Sequence, residues 1–260
     1  MSHPGLRKFL WRGTSRLFTW LLDLWGGHRR PVMLALIGAA LASFLASLAA
    51  ETRRLLFLEL LAQRRLILLL FIFSLLTLSL LWSAGQRLDT WVFLLFNLRG
   101  HHPQWLDRTM WALTQIGNGA VGIFLGICFY FGGYRRFAIE LLLGILTLWL
   151  AVELIKALVE RSRPFHTLEN TRVIGWRERG KSFPSGHTAQ AFFMMTLLTQ
   201  TFKAGAPASA AAFLIAAVVG FTRIYVGAHY PRDVIGGAIL GSVWGILSSL
   251  VEIYLATGQF

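Results

Sequence analysis

Apolar residues form long runs along this chain, and polar residues stand mostly between the runs. The runs cover residues 32–50, 66–82, 120–131, 137–158, 189–202, 209–221 and 234–255. A helix that crosses the apolar core of a bilayer needs roughly 20 residues, and fewer when its flanking residues snorkel. Several runs are long enough, and the shorter ones fit within a bundle. The pattern predicts an all-α, polytopic membrane protein with six spans from Leu66 onward.

The first 65 residues have a different character. The segment "RKFLWRGTSRLFTWLLDLW" mixes basic and aromatic residues at helical spacing, which is typical of an amphipathic helix on a membrane surface. The apolar run 32–50 either crosses the membrane or is re-entrant or interfacial. We therefore predict two parts, an N-terminal extension over residues 1–65 and a six-helix core over residues 66–256.

Composition and charge agree with a membrane protein. Of the 260 residues, 55% are hydrophobic and 14% are charged, whereas soluble domains are about 25% charged. The net charge of +13 could indicate nucleic-acid binding. However, Lys and Arg cluster between the apolar runs, where they anchor helices and set topology. We therefore predict a membrane partner and no nucleic-acid partner.

The distribution of basic residues also predicts an orientation. The Arg-rich segment 51–65 and the turn 132–137 favour the cytoplasmic side. The loops 159–186 and 223–232 then lie on the opposite side of the membrane. We expect a bacterial-type inner (plasma) membrane, with these two loops facing the periplasm or exterior.

Three polar clusters fall on this same predicted side of the membrane, and the first is "KALVERSRP". Lys156 and Arg163 are seven residues apart, so we expect them to share a face of a helix that ends at the water. Pro164 disfavours helical backbone at Arg163 and stops the helix there. Taken alone, this pattern also fits ordinary snorkelling at a helix end.

The second cluster is "FPSGHT". Ser185 is a natural N-cap, and Gly186 lets the backbone approach a ligand closely. Free N–H groups at a helix start bind anions. His187 lies in the first turn, where the helix dipole opposes a positive charge. A Pro-Ser-Gly sequence is also common at ordinary helix starts, so this cluster alone is weak evidence for a phosphate site.

The third cluster is "TRIYVGAHYPRD". Pro231 suits the first position of the last helix, and Asp233 can reach back to His229. A carboxylate that holds one imidazole nitrogen fixes the tautomer and leaves the other nitrogen free to react. Arg223 ends the preceding span and can point at the same place. Together the three clusters supply two histidines, three cations and an anion-binding helix start, an inventory that suits phosphoryl transfer.

With these motifs the chain resembles the type 2 phosphatidic acid phosphatases (PAP2), whose pattern is K-x6-RP, then PSGH, then SR-x5-H-x3-D. The matching residues are Lys156, Arg163, Pro164, Pro184, Ser185, Gly186, His187, Thr222, Arg223, His229 and Asp233. All three spacings are kept, and Thr222 stands where the family most often has Ser. The motifs cover residues 156–233, and the six-span layout extends the likeness to about residues 66–256.

The resemblance implies a role for each of these side chains. The expected phosphate-binding residues are Lys156, Arg163, Ser185, Gly186 and Arg223. His229 is the expected nucleophile, with Asp233 as its partner, and His187 the expected general acid. The family needs no metal or other cofactor, and the chain shows no carboxylate cluster for Mg²⁺. Asp89 and Asp107, in the loop after the first span, are expected to be solvated.

The function that these residues predict is a membrane phosphatase acting on a phosphomonoester or pyrophosphate of a lipid. Candidate substrates are phosphatidylglycerophosphate, phosphatidic acid and undecaprenyl pyrophosphate. A lipid phosphotransferase is an alternative, as is a non-catalytic binder or transporter of lipid phosphates. The second alternative leaves both histidines and Asp233 unexplained, because binding alone needs only the cations.

Overall fold

Long α-helices make up nearly all of the regular structure of this chain. The structure is a computed structural model that describes residues 35–257 except 37, 41, 44–45 and 100–101. The helices are α1 (Ala50–Ala62), α2 (Arg64–Ser79), α3 (Ser83–Asn97), α4 (Gln104–Thr114), α5 (Gly119–Phe131), α6 (Arg135–Val159), α7 (Pro164–Thr167), α8 (Gly186–Thr201), α9 (Ala206–Tyr225) and α10 (Pro231–Thr257). A short 3₁₀ turn, Gln115–Gly117, joins α4 to α5. The described residues include no strand, so the predicted all-α class is confirmed.

The six apolar runs predicted as spans correspond to α2, α5, α6, α8, α9 and α10. Within the described part of the chain, two segments alone have the length and hydropathy of a span, Arg135–Thr167 and Ala206–Tyr225. In two further pairs of helices, the two members reach the length and hydropathy of a span only when they are taken together, and each pair is bent. The pair α2 and α3 bends by 95°, and the pair formed by Gln104–Gly117 and α5 bends by 57°.

The segment between α2 and α5 differs from the prediction, because residues placed in a solvated loop form helices α3 and α4. Asp89 lies within α3 and is only 2% exposed. Asp107 lies in the first turn of α4 and forms an ion pair with Arg172. Both helices carry polar residues on one face, so their average apolarity is too low to be recognised as a membrane run.

The chain divides into two units between Phe57 and Leu58. The predicted amphipathic helix at residues 7–25 lies outside the described residues. The described residues from 35 to 47 are helical, and the prediction that the run 32–50 crosses the membrane or is re-entrant or interfacial stays a prediction. The predicted boundary between an extension (1–65) and a core (66–256) likewise stays a prediction.

Helices α8 and α10 pack with their backbones nearly in contact, and this packing positions the polar clusters. A Cβ atom at Gly237 would lie 2.5 Å from the carbonyl oxygen of Ser185, and one at Gly241 would lie 2.1 Å from that of Ala189. Small residues four apart permit such close approach between membrane helices. The second and third polar clusters, at the starts of α8 and α10, are thereby brought together.

Candidate active site

The three polar clusters meet at one end of the bundle, around a carboxylate that the motifs do not include. Glu178 lies in the loop between α7 and α8. Its carboxylate pairs with Arg163 at 2.9 Å and with Arg223. It also lies 3.6 Å from Nδ1 of His187 and 3.8 Å from Nε2 of His229. An anion therefore already occupies the point on which two arginines and two histidines converge.

Sequence reasoning missed Glu178. The signal that could have indicated it is an acidic residue among the basic residues Arg172, Arg177, Arg179 and Lys181 of this loop. Burial alone would raise the pKa of Glu178, but its contact with His229 and the charge of Arg223 outweigh burial and hold that pKa well below its usual value.

Lys156 and Arg163 do not share a helix face, contrary to the prediction. Helix α6 ends at Val159 because Glu160 adopts the left-handed conformation, with φ of 54°. Arg163 follows in extended backbone, directly before the short helix α7. The predicted end of the helix at Pro164 is thus several residues too late.

Arg163 reaches the site from this extended segment and is 2% exposed. Its Nε donates to the carbonyl of Gly180 at 3.2 Å, and its Nη1 donates to that of Ala228 at 3.2 Å. Nη1 also lies 3.2 Å from Nε2 of His229. These contacts fix the Arg163 guanidinium as a buried cation beside His229. The guanidinium can pair with an anion at the place that the Glu178 carboxylate occupies.

Arg223 supplies the second buried cation, from the last turn of α9. Its Nη1 donates to the hydroxyl of Thr114 at 2.7 Å, and its Nη2 donates to Glu178. Thr114, at the end of α4, is fully buried and carries no motif signal. The region predicted as a loop therefore holds one of the two buried cations of the site in place.

The imidazole of His229 presents its two nitrogens to different surroundings. Nε2 faces Arg163 and Glu178, whereas Nδ1 lies 3.4 Å from the hydroxyl of Ser182 and 3.7 Å from Oδ2 of Asp233. The Ser182 hydroxyl donates to the same Oδ2 at 2.5 Å. This arrangement favours the tautomer protonated at Nδ1 and leaves the Nε2 lone pair directed at the anion.

His229 is 1% exposed, and its environment keeps it neutral. Burial lowers the pKa of His229 below its ordinary value, and the positive charge of Arg163 lowers it further. A neutral imidazole with an unprotonated Nε2 can act as a nucleophile at neutral pH.

Ser185, Gly186 and His187 start α8 as predicted, but Ser185 does not cap the helix with its side chain. Ser185 occupies the N-cap position with no side-chain capping bond, and its Oγ instead accepts from the hydroxyl of Thr188 at 2.9 Å. Its backbone N–H donates to the carbonyl of Asp233 at 2.9 Å. Gly117 lies directly against the backbone of His187, since a Cβ at position 117 would lie 2.4 Å from the carbonyl oxygen of His187.

Lys156 stands at the edge of the site. Its Nζ pairs with Glu153 at 2.8 Å, and among the described residues no hydrogen bond or ion pair joins it to another motif residue. It does line the same cavity of about 580 Å³ as Arg163, Glu178 and His187. From this polar end the cavity continues between α5 and α6, along Ile123, Leu142, Ile145, Leu146 and Trp149.

Comparison with known proteins agrees with this geometry. A model of the PAP2 superfamily matches residues 137–255. An undecaprenyl-diphosphatase of Sulfolobus acidocaldarius is 27% identical over 71% of this chain and 89% of its own length. Phosphatidylglycerophosphatase B of Bacillus subtilis is 31% identical over 53% of this chain and 70% of its own length.

The fold has a counterpart among solved structures. A transmembrane PAP2-type phosphatidylglycerolphosphate phosphatase from Bacillus subtilis superposes with a TM-score of 0.62 and 25% identity, over 72% of this chain and 96% of that one. Both the sequence and the bundle thus match one family. The chain belongs to the PAP2 superfamily and is a membrane phosphatase of that family.

Proposed function

We propose that this protein hydrolyses the phosphomonoester or pyrophosphate of a membrane lipid, without a metal, through a phosphohistidine on His229. The observation that supports this most is the position of Glu178. Its carboxylate is held by Arg163 and Arg223 and lies between His187 and His229. A phosphoryl group bound in its place would have one histidine near each of two sides, as an in-line displacement requires.

The reaction has two steps. Nε2 of His229 attacks phosphorus, the bond from phosphorus to the lipid oxygen breaks, and His187 gives its proton to that oxygen. Neutral His187 then takes a proton from water, whose oxygen attacks phosphorus as the N–P bond breaks. Inorganic phosphate leaves and both histidines return to their starting states.

The cations stabilise the charge on phosphorus in both steps. Arg163 and Arg223 are fixed before substrate arrives, so they need no reorganisation during reaction. The N-terminus of α8, at Gly186, adds backbone donors. Lys156 exchanges Glu153 for a phosphate oxygen at the cavity edge. Burial and the charge of Arg223 lower the pKa of His187 to about 3. The negative charge of a bound phosphate opposes these effects and favours the protonated form of His187 that the first step needs.

A lipid substrate is supported by the apolar part of the cavity. Between α5 and α6 its walls are leucine, isoleucine and Trp149, and they begin at the charged end beside Lys156 and His187. An amphiphile can thus place its phosphate on the cations and its tail along these side chains. Phosphatidylglycerophosphate, phosphatidic acid and undecaprenyl pyrophosphate all satisfy this description.

The test is phosphate release from these three lipids by detergent-purified protein in the presence of EDTA. We expect release from at least one lipid, abolished by His229→Ala and retained by Glu169→Gln, an exposed control in the same loop as Glu178. Rapid acid-sensitive, base-stable labelling from ³²P-lipid should accompany turnover. Normal turnover by His229→Ala would refute the mechanism, and transfer of phosphate to another lipid would identify a phosphotransferase.

We propose further that the site faces the periplasm or exterior across a bacterial-type inner membrane. A Cys128→Ser background permits single cysteines at two exposed positions, Glu169 in the loop that carries Glu178 and Lys203 in the turn between α8 and α9. In intact spheroplasts an impermeant maleimide should label the cysteine at 169 and spare the one at 203. The reverse pattern would place the site in the cytoplasm.

A further inference from the structure

A buried group of charges adjoins the catalytic histidine through Asp233 and does not line the cavity. Asp89 of α3 is 2% exposed and accepts from three donors of two arginines. Its Oδ1 accepts from the backbone N–H of Arg232 at 3.1 Å, and its Oδ2 accepts from Nε of Arg232 at 2.6 Å. Nη2 of Arg161 donates to the same Oδ2 at 2.5 Å.

Arg161 connects this carboxylate to the catalytic one. Its Nη1 donates to Oδ1 of Asp233 at 2.6 Å, and its Nη2 also donates to Gln86 at 2.7 Å. The guanidinium lies 4.6 Å from the ring centroid of Tyr230, within the range of a cation–π contact. Arg161 is therefore held on several sides and does not line the cavity that receives substrate.

Asp233 uses its two oxygens differently. Oδ1 accepts from Arg161, whereas Oδ2 accepts from Ser182 and the backbone N–H of Tyr230 and faces His229. If Arg161 paired with Asp233 alone, it would neutralise the carboxylate that must stabilise the positive charge developing on His229. Asp89 shares the guanidinium and so limits that neutralisation.

From this geometry we infer that Asp89 and Arg161 are positioning residues of the reaction, which orient Asp233 and set its effective charge toward His229. The inference rests on the proposed nucleophile. Two arginines, Arg161 and Arg232, balance two carboxylates, Asp89 and Asp233, in a buried space. In such a place an unbalanced charge is costly, so removing one member changes the electrostatics of the others.

The charge balance predicts opposite effects for two substitutions. Asp89→Asn leaves excess positive charge, which should move the acidic limb of the kcat/KM pH profile to lower pH. Arg161→Gln leaves two carboxylates with one arginine, which should move the acidic limb to higher pH. The double variant restores the balance and should return the limb toward its wild-type position.

Other charges also face the Asp233–His229 pair, and they are unchanged in all three variants. They are Arg163 from the segment after α6, Glu178 from the loop before α8, His187 from α8, Arg223 from α9, and Tyr230 and Arg232 from the chain that starts α10. Differences between the profiles therefore report the Asp89–Arg161 charges.

The experiment measures kcat, KM and the pH profile for wild type, both single variants and the double variant, normalised to protein that binds vanadate. We expect kcat to fall about tenfold or more in each single variant, the loss seen for outer partners of metal-bound histidines, with little change in KM. Asp107→Asn is the matched control, since it breaks a carboxylate–arginine pair that contacts neither Asp233 nor His229. It should leave the acidic limb in place.

Two results would overturn the inference. One is wild-type kcat and pH profile in both single variants that bind vanadate. The other is a shift of both acidic limbs in the same direction, with no recovery in the double variant. Failure of the proposed function would look different, because wild-type protein itself would then release no phosphate or form no phosphohistidine.

Discussion

Glu178 offers the sharpest test of how the site binds anions. In the absence of substrate its carboxylate engages Arg163 and Arg223, so an incoming phosphate must displace it. Replacement by glutamine keeps the shape of the side chain and removes its charge. We predict that Glu178→Gln binds vanadate, a mimic of five-coordinate phosphorus, more tightly than wild type.

The magnitude follows from the contacts that vanadate replaces. A hydrogen bond to a charged group contributes about 1.5–3 kcal/mol, and a neutral amide forms a weaker one. Losing most of one such interaction with the two arginines amounts to about 1.4–2.8 kcal/mol, or a factor of roughly 10 to 100 in affinity. Because the pKa of Glu178 is held below its usual value, the carboxylate is ionised at neutral and mildly acidic pH, and the effect should be independent of pH there.

The assay is calorimetric titration of vanadate into detergent-purified protein. Glu169→Gln, which removes the same charge from an exposed position in the same loop, should bind vanadate as wild type does. Binding is measured rather than turnover, so any separate effect of Glu178 on His187 does not enter. Equal or weaker vanadate affinity in Glu178→Gln would show that the carboxylate does not compete for the anion site.

Four further outcomes are expected. His187→Ala should slow hydrolysis of lipid phosphates by roughly 10²–10⁴-fold but that of p-nitrophenyl phosphate much less, because nitrophenolate leaves without a proton; equal losses would exclude a general-acid role. Asp233→Asn should reduce turnover more than vanadate affinity, and unchanged turnover would show that it does not orient the nucleophile. ¹⁵N NMR should show His229 predominantly neutral near pH 6.5, where an ordinary histidine is half protonated, since its pKa is lowered; a signal that titrates near 6.5 and vanishes in His229→Gln would contradict this. Gly241→Val places carbon against a backbone carbonyl and should destabilise the bundle by about 1–3 kcal/mol, so an unchanged melting temperature in detergent would contradict the close packing of α8 and α10.

The apolar helices of the core could be predicted because length and apolarity are properties of a local segment. The starts of α8 and α10 could also be predicted, since Ser185-Gly186 and Pro231 favour a helix start through their own local backbone conformation. By contrast, α3 and α4 were missed. Their polar residues are paired inside the fold, and in the sequence these residues resemble those of a solvated loop.

The sequence by itself determined the motif residues, their spacing and their chemistry, because these belong to residue types at fixed distances along the chain. Only the tertiary structure decided which groups surround them. The loop that carries Glu178 is held by backbone bonds from Ile174 to Val226 and from Ser182 to Arg161. Asp89 meets Asp233 through Arg161 across 144 positions of sequence. Such contacts depend on how helices and loops pack against one another, and they cannot be predicted from the local sequence.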